Sequence, residues 1–233
     1  MVIAPELGLL HGFEVRVGGR PLELPISVQR LVAFLALHER PLQRLYVAGN
    51  LWLDSSEERA NASLRTALWR LGRQGGPLVL VNGNQVALAP DVTVDLLEVR
   101  RQAQRVLRRE TPLLQDFDDL CVAGELLPDW YDDWVLIERE RFRQLRLHAL
   151  DTLCEELTAA GRYAAAIEAG HASVAAEPLR ESAHRLLVAA YLAEGNPGEA
   201  IRQYRFFRDL LRTELGLEPS QQMERLVTRL PVQ

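Results

Sequence analysis

The chain has 233 residues, enough for one large domain or two small ones, and its 48% hydrophobic and 25% charged content is that of a soluble globular protein. No apolar run approaches the ~20 residues of a membrane span, and the opening Met-Val-Ile-Ala-Pro-Glu-Leu lacks the basic region of a signal peptide. Cys121 and Cys154 are too few for a disulfide framework or a Cys-rich metal site, so the cytoplasm is the expected compartment and no membrane partner is expected. Net charge is −5, and with no Lys present all 27 basic residues are Arg. Residues 1–97 carry nine Arg against nine acids, whereas residues 98–233 carry 18 Arg against 23 acids and account for the whole −5. A local Arg cluster on the neutral first part still attracts phosphate.

In chain order, Phe13–Val17 alternates apolar and polar residues as a half-buried strand does. Gly18-Gly19 marks a turn, and Pro21–Leu24 resumes a second short strand. Ser27 is placed to cap a helix over 28–37 with Leu31, Phe34 and Leu35 on one face. A second helix is expected over 41–52, with Pro41 in its first turn. Ser55-Ser-Glu-Glu58 has the S-x-x-E form of a capping box and opens a third helix over 58–73. In that helix Leu64, Leu68 and Leu71 fall at i, i+4, i+7. Arg59, Ala62, Ser63, Thr66, Arg70 and Arg73 fall on or near the opposite face. Arg59–Arg73 holds four Arg and no acid, a surface that a major groove accepts, though a solvated helix looks the same. Gly75-Gly-Pro77 ends the helix, and Asn82-Gly83 between two apolar runs signals a two-residue hairpin within 78–88. Strands, three helices and a terminal hairpin are in the order of a winged helix, whose third helix enters the major groove.

Leu31–Leu37, Leu51-Trp52, Ser63–Leu71 and Val94-Asp-Leu96 resemble the OmpR-type winged helix, in the version found in antibiotic regulatory (SARP-type) transcriptional activators. The resemblance implies that residues 58–73 are the recognition helix and that double-stranded promoter DNA is the partner. Carried over by position, the contact candidates are Arg59, Asn61, Ser63, Arg65, Thr66, Arg70 and Arg73, with Asn82 and Asn84 at the wing tip. Arg65 lies at the edge of the face and is read either as a contact or as a structural ion-pair residue. Trp52 and Trp69 are assigned to the core. The wing tip Asn82-Gly83-Asn84 departs from the family in having no Arg.

Beyond residue 95 the expected elements are a helix over 96–109 stopped at Glu110-Thr-Pro112, a short helix over 113–123, and an aromatic-rich turn over 124–134. A long helix over 135–160 follows, with Glu138, Arg139, Glu140 and Arg141 on its surface. Five pairs then recur 34 residues apart: Leu153 and Leu187, Leu157 and Tyr191, Gly161 and Gly195, Ala166 and Ala200, Ile167 and Ile201. The period resembles that of tetratricopeptide repeats, whose helix pairs stack into a superhelix. Pro178 falls at the end of the first repeat. The second lacks the matching Pro and runs on to Glu214, and a last helix spans 220–230. Leu127–Arg141 and Glu214–Ser220 resemble the bacterial transcriptional activator domain that follows the winged helix in the same regulators.

No enzyme is expected. The five His (11, 38, 148, 171, 184) lack metal-ligand spacing, and His148 and Cys154 do not form a nucleophile–base pair. No G-x-S-x-G or Walker A loop occurs. Asp116-Phe-Asp-Asp119 and Asp129…Asp132-Asp133 are read as solvated or helix-capping carboxylates rather than a cation site. No catalytic residue, metal or cofactor is therefore assigned.

The expected fold class is mainly α with a small β part. A winged helix-turn-helix domain over 1–94 precedes an α-helical, tetratricopeptide-like superhelical domain over 95–233. The expected function is transcriptional activation, with the second domain serving dimerisation as a homodimer, signal input or contact with RNA polymerase. The alternative is an interaction or ligand-sensing fragment of a larger regulator with little DNA binding.

Overall fold

The computed structural model describes residues 4–74, 78–110 and 117–228. The expected helix stop at 75–77, the start of the expected 113–123 helix, Asp116 and the end of the last helix lie outside the described residues. Among those described, no helix is long and apolar enough to cross a membrane. The fold is mainly helical with a small sheet content, and the chain divides into two compact units. One is residues 1–98 with 124–139, the other residues 99–123 with 140–233.

The first unit opens with β1 (Glu6–Gly8), β2 (Glu14–Val17) and β3 (Arg20–Pro21). The strand expected over 21–24 is only this two-residue β3, though Leu22 still donates to the Val15 carbonyl at 2.8 Å, in the register of the same antiparallel pairing. Helix α1 (Ile26–His38) has Pro25 at its N-cap in place of Ser27, which sits inside the first turn. The helix expected from Pro41 is split. Leu42–Gln43 is strand β4, and α2 is Arg44–Leu51. Leu42 pairs with Val86 and is buried, so tertiary pairing overrides the local helical pattern. Then come α3 (Glu57–Gln74), β5 (Val79–Asn82), β6 (Gln85–Leu88) and β7 (Thr93–Val94). One sheet has the order β3-β2-β1-β7, with β1 antiparallel to β2 and parallel to β7; the other has the order β4-β6-β5. The hairpin loop is Gly83-Asn84, one residue later than Asn82-Gly83, because Asn82 pairs with Gln85. Gly83 leads the loop at φ +55°, the left-handed conformation that a glycine-first hairpin loop needs.

Asp95 begins α4 (Asp95–Leu107) and fastens β1. Its carboxylate accepts the amides of Leu9 (2.9 Å) and Leu10 (3.0 Å). The aromatic-rich segment 124–134 closes against the same unit. Phe13 stacks on Trp130 (5.8 Å), Trp130 meets Trp134 edge-on (6.3 Å), and Trp134 meets Phe34 edge-on (5.2 Å). Asp132 pairs with Arg30. Arg139, expected on the surface, is held inside instead. It donates to the carbonyls of Leu126 (2.8 Å), Leu127 and Trp130 (2.8 Å), and its side chain is 14% exposed. Three backbone acceptors in an irregular loop need a donor fork, and Arg139 supplies it.

In the second unit α5 is Asp118–Val122, and Arg146 satisfies carbonyls at its end by donating to Leu120 (2.9 Å) and Cys121 (2.8 Å). The long α6 spans Asp133–Ala159, and both unit divisions along the helices fall within α4 and α6. Helices α7 (Tyr163–Ala176), α8 (Glu181–Glu194), α9 (Pro197–Leu215) and α10 (Gln221–Thr228) follow, with α7 on α8, α8 on α9, and α10 on both α8 and α9. The 34-residue recurrence is visible in the structure. Gly161 and Gly195 both turn at left-handed φ (+73° and +90°), and Leu153, Leu187, Ala166 and Ala200 are all fully buried. Val188, Ala200, Phe207, Leu211 and Met223 form one core between α8, α9 and α10. Helices α7 and α8 approach closely at Gly170, where a Cβ would come 3.0 Å from the Leu187 side chain.

Candidate nucleic-acid interface

Helix α3 packs on α1 and α2 and divides into a buried apolar stripe and a polar outward face. Glu57 and Glu58 in its first turn and Arg73 in its last complement the helix dipole. The helix starts at Glu57, so Ser56 precedes it rather than Ser55 as the S-x-x-E spacing implied. Its buried stripe is Ala60, Leu64, Ala67 and Leu71, one residue every third or fourth position; Leu68 is only half-buried.

The opposite face gathers most of the expected contact residues. Arg59, Arg65, Thr66, Arg70 and Arg73 are exposed, while Asn61 and Ser63 are half-buried at the flanks. Among the described residues no carboxylate pairs with Arg59, Arg65, Arg70 or Arg73. The Thr66 hydroxyl donates back to the Ala62 carbonyl at 3.0 Å, which leaves its lone pairs outward as acceptors. Ala62 and Ser63 keep this face low, so a second backbone can come close.

Trp69 is not in the core as expected. It is 60% exposed, and the Arg73 guanidinium lies 4.9 Å from the centroid of its ring. The core stripe runs through Leu64, Ala67 and Leu71, and a 100° step places Trp69 across the helix from it. A helical projection of Ala62, Trp69 and Arg73 was the signal that could have found this. Trp52 is half-buried and lines an open cleft of about 280 Å³ with Leu45, Ala48, Gly49 and Leu53.

The hairpin stands apart in chemistry. Asn82 and Asn84 are exposed, but Asn84 is tied to β4. Its amide donates to the Gln43 side chain at 3.2 Å, and its carbonyl accepts the Arg44 amide at 2.9 Å. The loop carries no charge, and Leu80 and Val81 of β5 face solvent. The structure therefore exposes Arg59, Arg65, Thr66, Arg70 and Arg73 on the outer side of α3, leaves Asn61 and Ser63 at its flanks, and places Asn82 and Asn84 on a separate element.

Among the described residues no group of three or more His, Cys, Asp or Glu could hold a metal ion. Asp119 accepts from Gln102 at 3.1 Å and Asp132 serves Arg30, so these carboxylates act as local bonding partners.

Residues 95–230 match the family model described as the bacterial transcriptional activator domain. The regulatory protein AfsR of Streptomyces coelicolor is 31% identical over 247 residues, covering 97% of this chain and 24% of that protein. AfsR of Streptomyces griseus is 27% identical over 238 residues, covering 94% of this chain and 23% of that protein. The chain thus spans about a quarter of the length of the curated relatives it matches. The structure of Mycobacterium tuberculosis EmbR in complex with a low affinity phosphopeptide superposes with a TM-score of 0.71 at 22% identity, covering 99% of this chain and 66% of that one. That likeness is one of fold.

Proposed function

The chain belongs to the bacterial transcriptional activator domain family, and from that premise we propose that it regulates transcription, as an activator, by reading promoter DNA with α3. In this reading residues 1–94 form an OmpR-type winged helix. Helices α1 to α3 followed by the β5–β6 hairpin, with β4 as third strand, support it. The observation that carries the reading is the outward face of α3, where four guanidinium groups lack a carboxylate partner among the described residues. Arg59, Arg65, Arg70 and Arg73 supply the salt-dependent phosphate attraction, and Thr66, Ser63 and Asn61 read base edges. Asn82 and Asn84 make at most neutral contacts from the wing, so α3 bears most of the attraction. Residues 95–233, with their tetratricopeptide-like recurrence, serve dimerisation, signal input or contact with RNA polymerase.

Selection on random duplex DNA followed by a salt titration tests the reading. A preferred, repeated site is expected, with affinity falling steeply as salt rises. Arg70→Ala should weaken binding and reduce the slope of log K against log salt by about one. If no sequence is enriched at low salt, DNA reading fails, and a protein-interaction or sensing role for the helical part takes its place.

A further inference from the structure

Trp69 stands in the middle of the outward face of α3. Ala62, seven residues earlier, and Arg73, four later, project within about 40° of it at 100° per residue. Among the described residues the indole's one ring partner is Arg73, whose guanidinium lies 4.9 Å away, and Trp69 is 60% exposed. Exposing an indole on a monomer adds nothing to stability, and an apolar protein partner would have to desolvate the unpaired guanidiniums around it. A ligand that offers dense negative charge together with a small apolar group satisfies both features at once. The major groove of duplex DNA is such a ligand, because its walls are phosphates and the thymine 5-methyl is its apolar group.

We propose that Trp69 is a direct specificity-determining contact. Its indole packs against a thymine methyl in the groove while its face holds Arg73 toward the adjoining phosphate. The low Ala62 beside it lets the groove floor approach. This inference rests on α3 being the groove helix and adds an apolar base contact to the readout by Thr66, Ser63 and Asn61.

The test uses the full chain and the duplex selected as above, with each thymine replaced in turn by deoxyuridine, which removes only the methyl group. The wild-type chain is expected to lose affinity at one position of each repeat, by roughly threefold to tenfold for one lost apolar base contact. Trp69→Ala should bind the thymine and uracil duplexes equally, and Trp69→Phe should restore the preference for thymine. Trp69→Ala should also leave the urea midpoint unchanged, whereas Leu64→Ala, in the buried stripe, should lower it. The inference is overturned if Trp69→Ala still discriminates thymine from uracil, if the wild type discriminates at no position, or if Trp69→Ala unfolds the chain as loss of a core residue would. A wild type that enriches no duplex at all sinks the α3 reading itself, which is a different result from binding without methyl discrimination.

Discussion

The Asp151 carboxylate accepts the Arg180 guanidinium through both Nε (3.1 Å) and Nη2 (3.0 Å). The same group accepts Ser173 Oγ (2.8 Å) and Ser182 Oγ (2.7 Å), so one side chain of α6 joins α7, the turn after it and α8. The pair is mostly covered, with 22% of Arg180 and 14% of Asp151 exposed. Asp151→Ala strands a guanidinium and two hydroxyls, and should cost about 2–4 kcal/mol of stability. Asp151→Asn, which keeps one good acceptor oxygen, should fall between it and the wild type. Urea denaturation of the three proteins measures this. Equal midpoints would mean the network is ornamental.

His184 should make the helical part acid-sensitive. It is buried, stacked on Phe207 at 4.2 Å, with its Nε2 2.8 Å from the Pro178 carbonyl and its Nδ1 2.7 Å from the Gln203 amide. That pattern fits a neutral ring, donating from Nε2 and accepting at Nδ1. Burial pulls its pKa below the ordinary 6.5, and the bond to the Pro178 carbonyl offsets only part of the pull. Because the folded pKa is depressed, its stabilising contribution is complete above 6.5 and is lost as pH falls from 6.5 through the folded value, where the unfolded chain takes up the proton first. The urea midpoint should drop between pH values of about 7.5 and 5.5, and His184→Gln should show a smaller drop.

Arg139→Lys should loosen residues 124–131 without dissolving α6. An ammonium is a point donor and cannot span the carbonyls of Leu126, Leu127 and Trp130 as the guanidinium does. The expected cost is about 2–3 kcal/mol, with faster amide hydrogen exchange at Leu127 and Trp130. Unchanged exchange at both amides would show that the fork is dispensable.

Both cysteines should resist alkylation in the folded chain. Burial pushes the Cys154 thiol up to about 12, helped by the Asp151 charge, and the Cys121 thiol up to about 11, helped by Glu168. At a pH of about 8 almost no thiolate is present at either site. Iodoacetamide followed by intact-mass measurement should find neither thiol modified until urea is added. Rapid native labelling of Cys121 would contradict its assigned surroundings.

Much of the fold was legible because it rests on local signals. The apolar stripe of α3, the glycine-bearing hairpin loop and the 34-residue recurrence of Leu153/Leu187 and Gly161/Gly195 are short-range periodicities or turn chemistry, and each has its counterpart in the structure. The guanidinium face of α3 was legible for the same reason, since helical geometry alone puts Arg59, Arg70 and Arg73 opposite Leu64 and Leu71.

What only the tertiary structure decided depends on residues far apart in the chain. Leu42 became a strand because Val86 was there to pair with it. Arg139 turned inward because a loop a dozen residues back left three carbonyls to satisfy. Residues 124–139 joined the first unit because Trp130 and Trp134 found Phe13 and Phe34 a hundred or more positions earlier. Hydrophobicity alone argues for burying Trp69. The width of the buried stripe, and hence which apolar residue is left outside it, is set by the helices packed against α3. A single sequence therefore determines which faces are possible, and long-range packing decides which of them meets solvent.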